Sequence, residues 1–335
     1  MPKNNGNEKN IWVVLDHHKA GLTTASIELL GIGKEVAQKA SEKLIAVIMG
    51  YNLDSVVKEA SFYGADDILV LDHECLAHII AESYVPLLKN LILEKQPRIL
   101  LGATNELMRQ IFARLAIEVE SGLASDAIGV EWDNMSKLLF VQRSVYGGNL
   151  ECKGAIEGYY PQMITLRPRV VGKAKKTSTA SQIVAISVSP ETCIHSIEIL
   201  DEKEEQTGQI KLTEAEIIIS GGRGLGGPEP FKMLQELSNV LSAAVGASRA
   251  AVDAGWIAYK HQVGQTGQTV QPRIYIACGI SGAIQHLAGM QTSDIIVAIN
   301  KDPDCTMMKI ANFSLHGDLF KIIPLLTQKL RDVLN

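Results

Sequence analysis

At 335 residues the chain is about twice the usual ~100–200-residue domain, so two domains are expected. Hydrophobic residues at 46% and charged residues at 21% describe a globular chain, and a formal net charge of −5 offers no basic field for nucleic acid. Five scattered cysteines without a CxxC argue against a disulfide framework, a zinc knuckle or an iron–sulfur cluster, and fit a reducing compartment.

The first half alternates short apolar runs with helical stretches. Residues 11–15 read as a strand, 24–40 as a helix after the Thr23-Thr24 pair, and 44–49 as the next strand. Asp54 is expected to cap a short helix ending near Gly64, before a strand at 68–71. A helix over 76–94 carries Pro86, which predicts a kink or break. A strand at 98–101 leads to Asn105, a predicted N-cap for a helix reaching Glu118. Unbroken apolar strands between helices indicate a parallel sheet covered on both faces. After Gly122 the runs 127–132, 137–145, 151–156 and 162–166 are β-rich and predict an antiparallel extension. Residues 168–181 are a polar loop, and its Lys173, Lys175 and Lys176 read as a solvated cluster.

The charged stretch 201–206 is the expected junction, giving domains 1–206 and 207–335. Beyond it a strand at 217–220 precedes a helix at 229–244 with Phe231, Leu234, Leu237 and Leu241 on one face. Strands at 273–277 and 294–299 flank a short helix at 283–288, and a helix over 318–334, interrupted near Pro324, closes the series. The fold expected is α/β throughout: a nucleotide-binding-like N-terminal domain with an antiparallel extension, and a C-terminal parallel-sheet domain. The first ten residues are polar, with neither a signal peptide's apolar stretch nor an Arg-rich transit pattern. No apolar run approaches the ~20 residues of a membrane span, so a cytoplasmic protein without membrane insertion is expected.

Five loops of the second half are rich in Gly, Ser, Thr and Gln, and most follow a predicted strand, where ligands of open parallel sheets bind. The run from Gly221 to Gly227 contains GxGxxG at Gly222, Gly224 and Gly227, with Arg223 adding a cation. Such glycines let a pyrophosphate approach backbone amides at a helix start, though glycine-rich strand-to-helix turns are equally often structural. The acid expected ~20 residues on in a dinucleotide fingerprint is missing, because Asp253 lies in no clear strand. The other loops run from Ser248 to Trp256, Val263 to Thr269, Ile274 to His286 and Ala298 to Asp302. Singly these read as an amphipathic turn with a surface arginine, a hairpin loop, a helix start with a satisfied histidine, and a strand end. Asp318 alone reads as an N-cap.

In order, however, SGGRGLG from Ser220, SRAAVDAGW from Ser248, VGQTGQTVQP from Val263, YIACGISGAIQHLAGM from Tyr275, IVAINKDPD from Ile296 and GDLFKIIPLL from Gly317 resemble the electron-transfer flavoprotein alpha subunit. The resemblance implies an N-terminal domain that binds no nucleotide and packs on a partner, and a C-terminal domain that binds FAD with help from an electron-transfer flavoprotein beta subunit. It implies FAD contacts from Arg223, Ser248, Arg249, Val263, Gly264, Gln265, Thr266, Ser281, Gly282, Ala283, Ile284, Gln285, His286, Asn300, Asp318 and Leu319. Arg249 would lie near the isoalloxazine ring, Thr266 near N5 and His286 near O2 and N1. A cation or donor there favours the negatively charged reduced flavin, so Arg249 and His286 are assigned to raising its potential. No metal, nucleophile or acid–base pair is implied. One departure, Cys305-Thr306-Met307-Met308 after NKDPD, is expected to affect loop shape rather than cofactor contact.

The implied activity is electron transfer between acyl-CoA dehydrogenase-type flavoenzymes and other redox partners. Within the family a bifurcating arrangement with NADH and ferredoxin or flavodoxin is a sharper option that this sequence does not decide. The alternative from another class is a free-standing NAD(P)-dependent dehydrogenase using the Gly222 fingerprint. It requires an acid at the second strand end and a catalytic Lys, Tyr or His, and neither set can be assembled. A third reading, a degenerate nucleotide module, predicts a colourless protein.

Overall fold

A computed structural model of the protein describes residues 8–18, 21–78, 80–145, 150–193, 197, 199–200, 210–213 and 215–334. The chain divides into two compact units at residues 203/204. The expected junction at 201–206 falls outside the described residues.

The N-terminal unit begins with β1 (Ile11–Val14), the short pair β2 (His17–His18) and β3 (Gly21–Leu22), α1 (Thr24–Ala40), β4 (Leu44–Gly50), α2 (Asp54–Ala60) and β5 (Asp67–Asp72). It continues with α3 (Ala81–Lys95), β6 (Ile99–Ala103), α4 (Glu106–Glu118), β7 (Leu123–Asp133), β8 (Leu138–Val145), β9 (Leu150–Ala155), β10 (Gln162–Leu166) and β11 (Gln182–Ala185). Among the described residues the strands form a sheet ordered β11-β5-β4-β1-β6-β10-β7-β8-β9. Every residue of β1, β4 and β6 is buried, because each face has its own helical cover. Ile11 and Val13 pack with Leu29, Leu30 and Val36 of α1, while Trp12 and Val14 pack with Tyr84 of α3 and Ile111 and Phe112 of α4.

Local chemistry sets the helix starts. The Thr23 side chain accepts from the Ser26 amide and the Asn105 side chain from the Met108 amide. Asp54 is the first residue of α2 rather than its cap; the preceding amides of Asn52 and Leu53 are held instead by the Asp72 carboxylate at the end of β5. Helix α3 starts at Ala81 and continues through Pro86. An interior proline costs about 3 kcal/mol. Burial of Tyr84, Val85, Leu87, Leu88, Leu91 and Ile92 contributes roughly 1.5–3 kcal/mol for each large side chain, so packing wins.

The expected antiparallel extension needs one correction. Strands β7, β8 and β9 are an antiparallel meander, but β10 returns to the middle of the sheet and pairs parallel with both β6 and β7. All five of its residues are buried, the mark of an interior parallel strand. Edge strand β11, short and mostly exposed, pairs parallel with β5 and has no clear sequence signature. The expectation of no disulfide is also corrected. Cys75 and Cys193, 118 residues apart, form one, because the short 3₁₀ turns that carry them both pack against α3.

The C-terminal unit comprises β12 (Ile217–Gly221), α5 (Phe231–Leu241), β13 (Ala244–Ala247), α6 (Arg249–Asp253), β14 (Ile274–Cys278), α7 (Ile284–Leu287), β15 (Ile295–Asn300), α8 (Thr306–Ile310), β16 (Phe313–His316) and α9 (Leu319–Leu334). Among the described residues its strands form one parallel sheet ordered β13-β12-β14-β15-β16. The helix predicted to reach residue 244 stops at Leu241, where Ser242 turns left-handed and releases the chain into β13. Helix α9 is continuous through Pro324 and buries Leu319 and Ile323. Among the described residues, no helix is long and apolar enough to cross a membrane.

Candidate functional site

In the C-terminal unit the chain leaves β12 for β13 on one side and passes to β14 on the other, so the strand order reverses between β12 and β14. The carboxyl ends flanking such a reversal open into a crevice. Here the strand-exit loops are tied by backbone hydrogen bonds: Gly224 N–H donates to the Gly279 carbonyl at 3.0 Å, Ser248 N–H to Gly221, and Gly279 N–H to Ile299. The Val263–Thr266 loop joins them through Val263 N–H to Ala247 and Gln265 N–H to Gln285.

The glycine fingerprint works differently from the sequence expectation. A Cβ on Gly222 would sit 2.3 Å from the Gly279 carbonyl oxygen, and one on Gly224 2.8 Å from the Gly279 Cα. These glycines let the β12 and β14 exits touch each other. Gly227 faces open space, and α5 begins only at Phe231, after a 3₁₀ turn over Arg223–Leu225.

Around these loops lies a cavity of about 710 Å³, within the ~300–1,000 Å³ range of ligand sites. Its wall brings together Arg223, Ser248, Arg249, Val263, Gly264, Gln265, Thr266, Ser281, Ala283, Gln285, His286 and Asn300. Four residues of the expected set are not on that wall. Gly282, at φ +86°, is backed by the Met307 amide, 2.5 Å from any Cβ placed there. Ile284 is 81% exposed at the start of α7. Asp318 accepts from the Phe320 amide at the head of α9, and Leu319 is a core residue packed under Gly279. The wall also contains Asp253, Gln262, Ile280, Asp302 and Cys305. Cys305 stands on this wall, although its segment was expected to bear on loop shape rather than cofactor contact. A glutamine directly before the Gly/Gln/Thr loop was the signal the sequence offered for Gln262, which the structure buries.

The polar chemistry of the wall is incomplete. Gln262 Nε2 donates to the Thr266 hydroxyl at 3.2 Å, and Asn300 Nδ2 to the Ile280 carbonyl at 3.0 Å. Ser248 Oγ and His286 Nδ1, both buried, make no hydrogen bond of ordinary geometry among the described residues. A buried polar atom without a partner costs about 1–3 kcal/mol, so these two wall atoms are available to a ligand. Burial pushes the His286 imidazole down to about 4, against a smaller opposing pull from the Val263 backbone, and the ring is neutral at pH 7. Arg249 pairs with Asp253 at 3.2 Å, both exposed, so this pair leaves the guanidinium free to reorient at little cost. Arg223 is exposed at the opposite loop. Two cations, orphaned donors and a long wall suit an anionic dinucleotide bearing a polar ring system.

The corresponding strand ends of the N-terminal unit are self-satisfied. Asp16, after β1, accepts from Asn105 Nδ2 at 2.7 Å and from the His17 amide at 2.9 Å. Ser26 Oγ bonds both the amide and the carbonyl of Asp16, and the Met49 carbonyl meets His17 Nε2 and the Tyr84 hydroxyl. Burial raises the Asp16 carboxyl above its ordinary range despite these bonds.

Comparison with known proteins agrees with this architecture. Residues 11–191 match the electron transfer flavoprotein domain family, and residues 211–291 match the electron transfer flavoprotein FAD-binding domain family. An electron transfer flavoprotein subunit alpha of Thermoanaerobacterium thermosaccharolyticum is 40% identical, covering 96% of this chain and 98% of its own. Another from Clostridium acetobutylicum is 37% identical over 99% of this chain and 100% of its own. The acryloyl-CoA reductase electron transfer subunit beta of Anaerotignum propionicum is 32% identical over 98% and 97%. The dehydrogenase alternative loses its ground, since Ser248 stands at the end of β13 where an acid was required. With both halves matched, the chain belongs to the electron-transfer flavoprotein family as an alpha subunit with FAD as its cofactor, electron transfer as its function and, by membership, a beta subunit as its heterodimer partner.

Proposed function

We propose that the C-terminal cavity holds one FAD and that the heterodimer carries electrons between an acyl-CoA dehydrogenase-type flavoenzyme and other redox partners in the cytoplasm. The observation that carries the site assignment is the pair of unpartnered buried atoms, Ser248 Oγ and His286 Nδ1, on the cavity wall. FAD would supply the redox centre; the chain's own residues bind and tune it. Arg223 offers charge to the phosphates and Arg249 to the isoalloxazine ring. The Thr266 oxygen already accepts from Gln262, so its hydrogen is free for N5. His286 serves N1 and O2 as a neutral donor rather than a cation, because its ring is uncharged. Val263, Gly264, Gln265, Ser281, Ala283, Gln285 and Asn300 complete the wall.

Domains 1–206 and 207–335 are assigned separate work: the first packs on the beta subunit without a cofactor, and the second holds FAD. The likeness to a subunit named for acryloyl-CoA reductase supports an acyl-CoA-type partner. The test is co-expression with the beta subunit and stepwise anaerobic reduction followed by visible spectroscopy. One FAD retained by the alpha chain, and lost on replacing Ser248 and Arg249, is expected. Two flavins per heterodimer, one reduced by NADH, would shift the reading to bifurcation with ferredoxin or flavodoxin. A colourless protein that takes up no FAD would overturn it.

A further inference from the structure

Tyr275 is the second residue of β14, fully buried and outside the cavity wall. Its hydroxyl is 3.0 Å from Nε2 of His286, with the two rings edge-on and their centroids 6.1 Å apart. A neutral imidazole has one N–H and one bare nitrogen, and whatever bonds one nitrogen decides the role of the other. A phenol has one hydrogen to give. Both Nε2 and the Ser220 hydroxyl lie within reach of this phenol, while the Val263 backbone, which favours a protonated imidazole nitrogen, offers the ring an acceptor. Donation to Nε2 leaves the imidazole proton on Nδ1, which makes no hydrogen bond of ordinary geometry among the described residues. Acceptance from Nε2–H would instead leave Nδ1 bare and the acceptor offered by the Val263 backbone unused.

We infer that Tyr275 is a positioning residue that donates to Nε2 and so holds His286 as its Nδ1–H tautomer, presenting the cavity with an uncharged hydrogen-bond donor of fixed direction. The inference rests on the proposed place of His286 beside the flavin. Residues behind a ligand tune it in the same way that outer partners of a metal-bound histidine set its tautomer. The surroundings support a fixed rather than a titrating ring: burial pushes the phenol far up and the imidazole down to about 4, so neither changes charge near neutral pH.

The experiment uses the FAD-loaded heterodimer with its beta subunit, carrying ¹⁵N-labelled histidine. His286 resonances are identified by their disappearance in His286→Asn. The wild type is expected to show the Nδ1–H tautomer, and Tyr275→Phe a mixture or the Nε2–H form. The flavin's one-electron reduction constant should fall about tenfold in Tyr275→Phe, ~59 mV for one electron. In a His286→Asn background the same change should have no further effect, because Tyr275 acts through His286. An Nε2–H tautomer in the wild type overturns the inference, and needs no variant to fold. So does a Tyr275→Phe protein with unchanged tautomer, or one whose potential shift persists without His286. If His286→Asn alone leaves the potential unmoved, the placement of His286 beside the flavin fails instead, whatever the tautomer shows.

Discussion

Two units of this chain place polar side chains at the same topological address, and only one leaves them wanting. After β1 and β6 of the N-terminal unit, Asp16, Asn105, Ser26 and His17 satisfy one another or nearby carbonyls. After β12, β13 and β14 of the C-terminal unit, Ser248 and His286 line a cavity with atoms that make no hydrogen bond of ordinary geometry among the described residues. Sheet topology marks where a ligand could bind, and hydrogen-bonding capacity left open on a cavity wall distinguishes the C-terminal strand ends from the N-terminal ones.

Five substitutions or conditions sharpen or break that contrast. The largest effect is expected from Gly222→Val, which drives a side chain into the Gly279 backbone. It should cost about 3 kcal/mol and release FAD, while Gly227→Val, in open space, should do neither. Urea unfolding with flavin fluorescence checks both; equal midpoints for the pair would refute the tight contact between loops.

Next comes pH. The unfolded His286 binds a proton below its ordinary 6.5, whereas the folded ring binds one only below about 4. Between those values the unfolded state holds more protons, so the C-terminal unit loses stability as pH falls through this window, by about 3 kcal/mol in total. His286→Phe should flatten the pH dependence of the unfolding midpoint; a slope that survives would place the titrating group elsewhere.

Asp16→Asn is the N-terminal counterpart. Asp16 Oδ1 accepts from the His17 amide and Oδ2 from Asn105 Nδ2, so whichever way the new amide lies, its nitrogen faces one of these donors. A loss of about 2 kcal/mol is expected, with flavin content unchanged. Ser248→Ala should weaken FAD binding about tenfold, ~1.4 kcal/mol, without lowering the stability of the flavin-free chain, since its hydroxyl has no protein partner to lose. Titration calorimetry beside thermal unfolding separates the two effects. Smallest is Asp253→Asn, expected to change stability by less than about 0.5 kcal/mol because both partners of the Arg249 pair are exposed.

What the sequence made legible follows from how strongly each segment is dictated locally. Residues 11–14, 44–50 and 99–103 are unbroken apolar runs, and Thr23 and Asn105 are ordinary caps, so β1, β4, β6, α1 and α4 could be read directly. Strand β13, Ala-Val-Gly-Ala, has too little side chain to carry a pattern, and β11 and β16 are exposed edges whose pairing comes only from the neighbouring strand. The cavity wall was largely legible as an ordered series of loop motifs. The position of Cys305 on that wall and the bond from Tyr275 to His286 were not, because each depends on what lies across the sheet rather than along the chain.

The place of β10 bears on how the molecule is made. It is synthesised after the whole β7–β9 meander, yet it is the strand that joins β6 to β7. A nascent chain that has emerged only as far as residue 155 therefore presents two open strand flanks, β6 and β7, until residues 162–166 arrive to pair with both. Biosynthesis of the N-terminal unit passes through an exposed interval of its own design, during which a ribosome-bound chain has most need of chaperone cover.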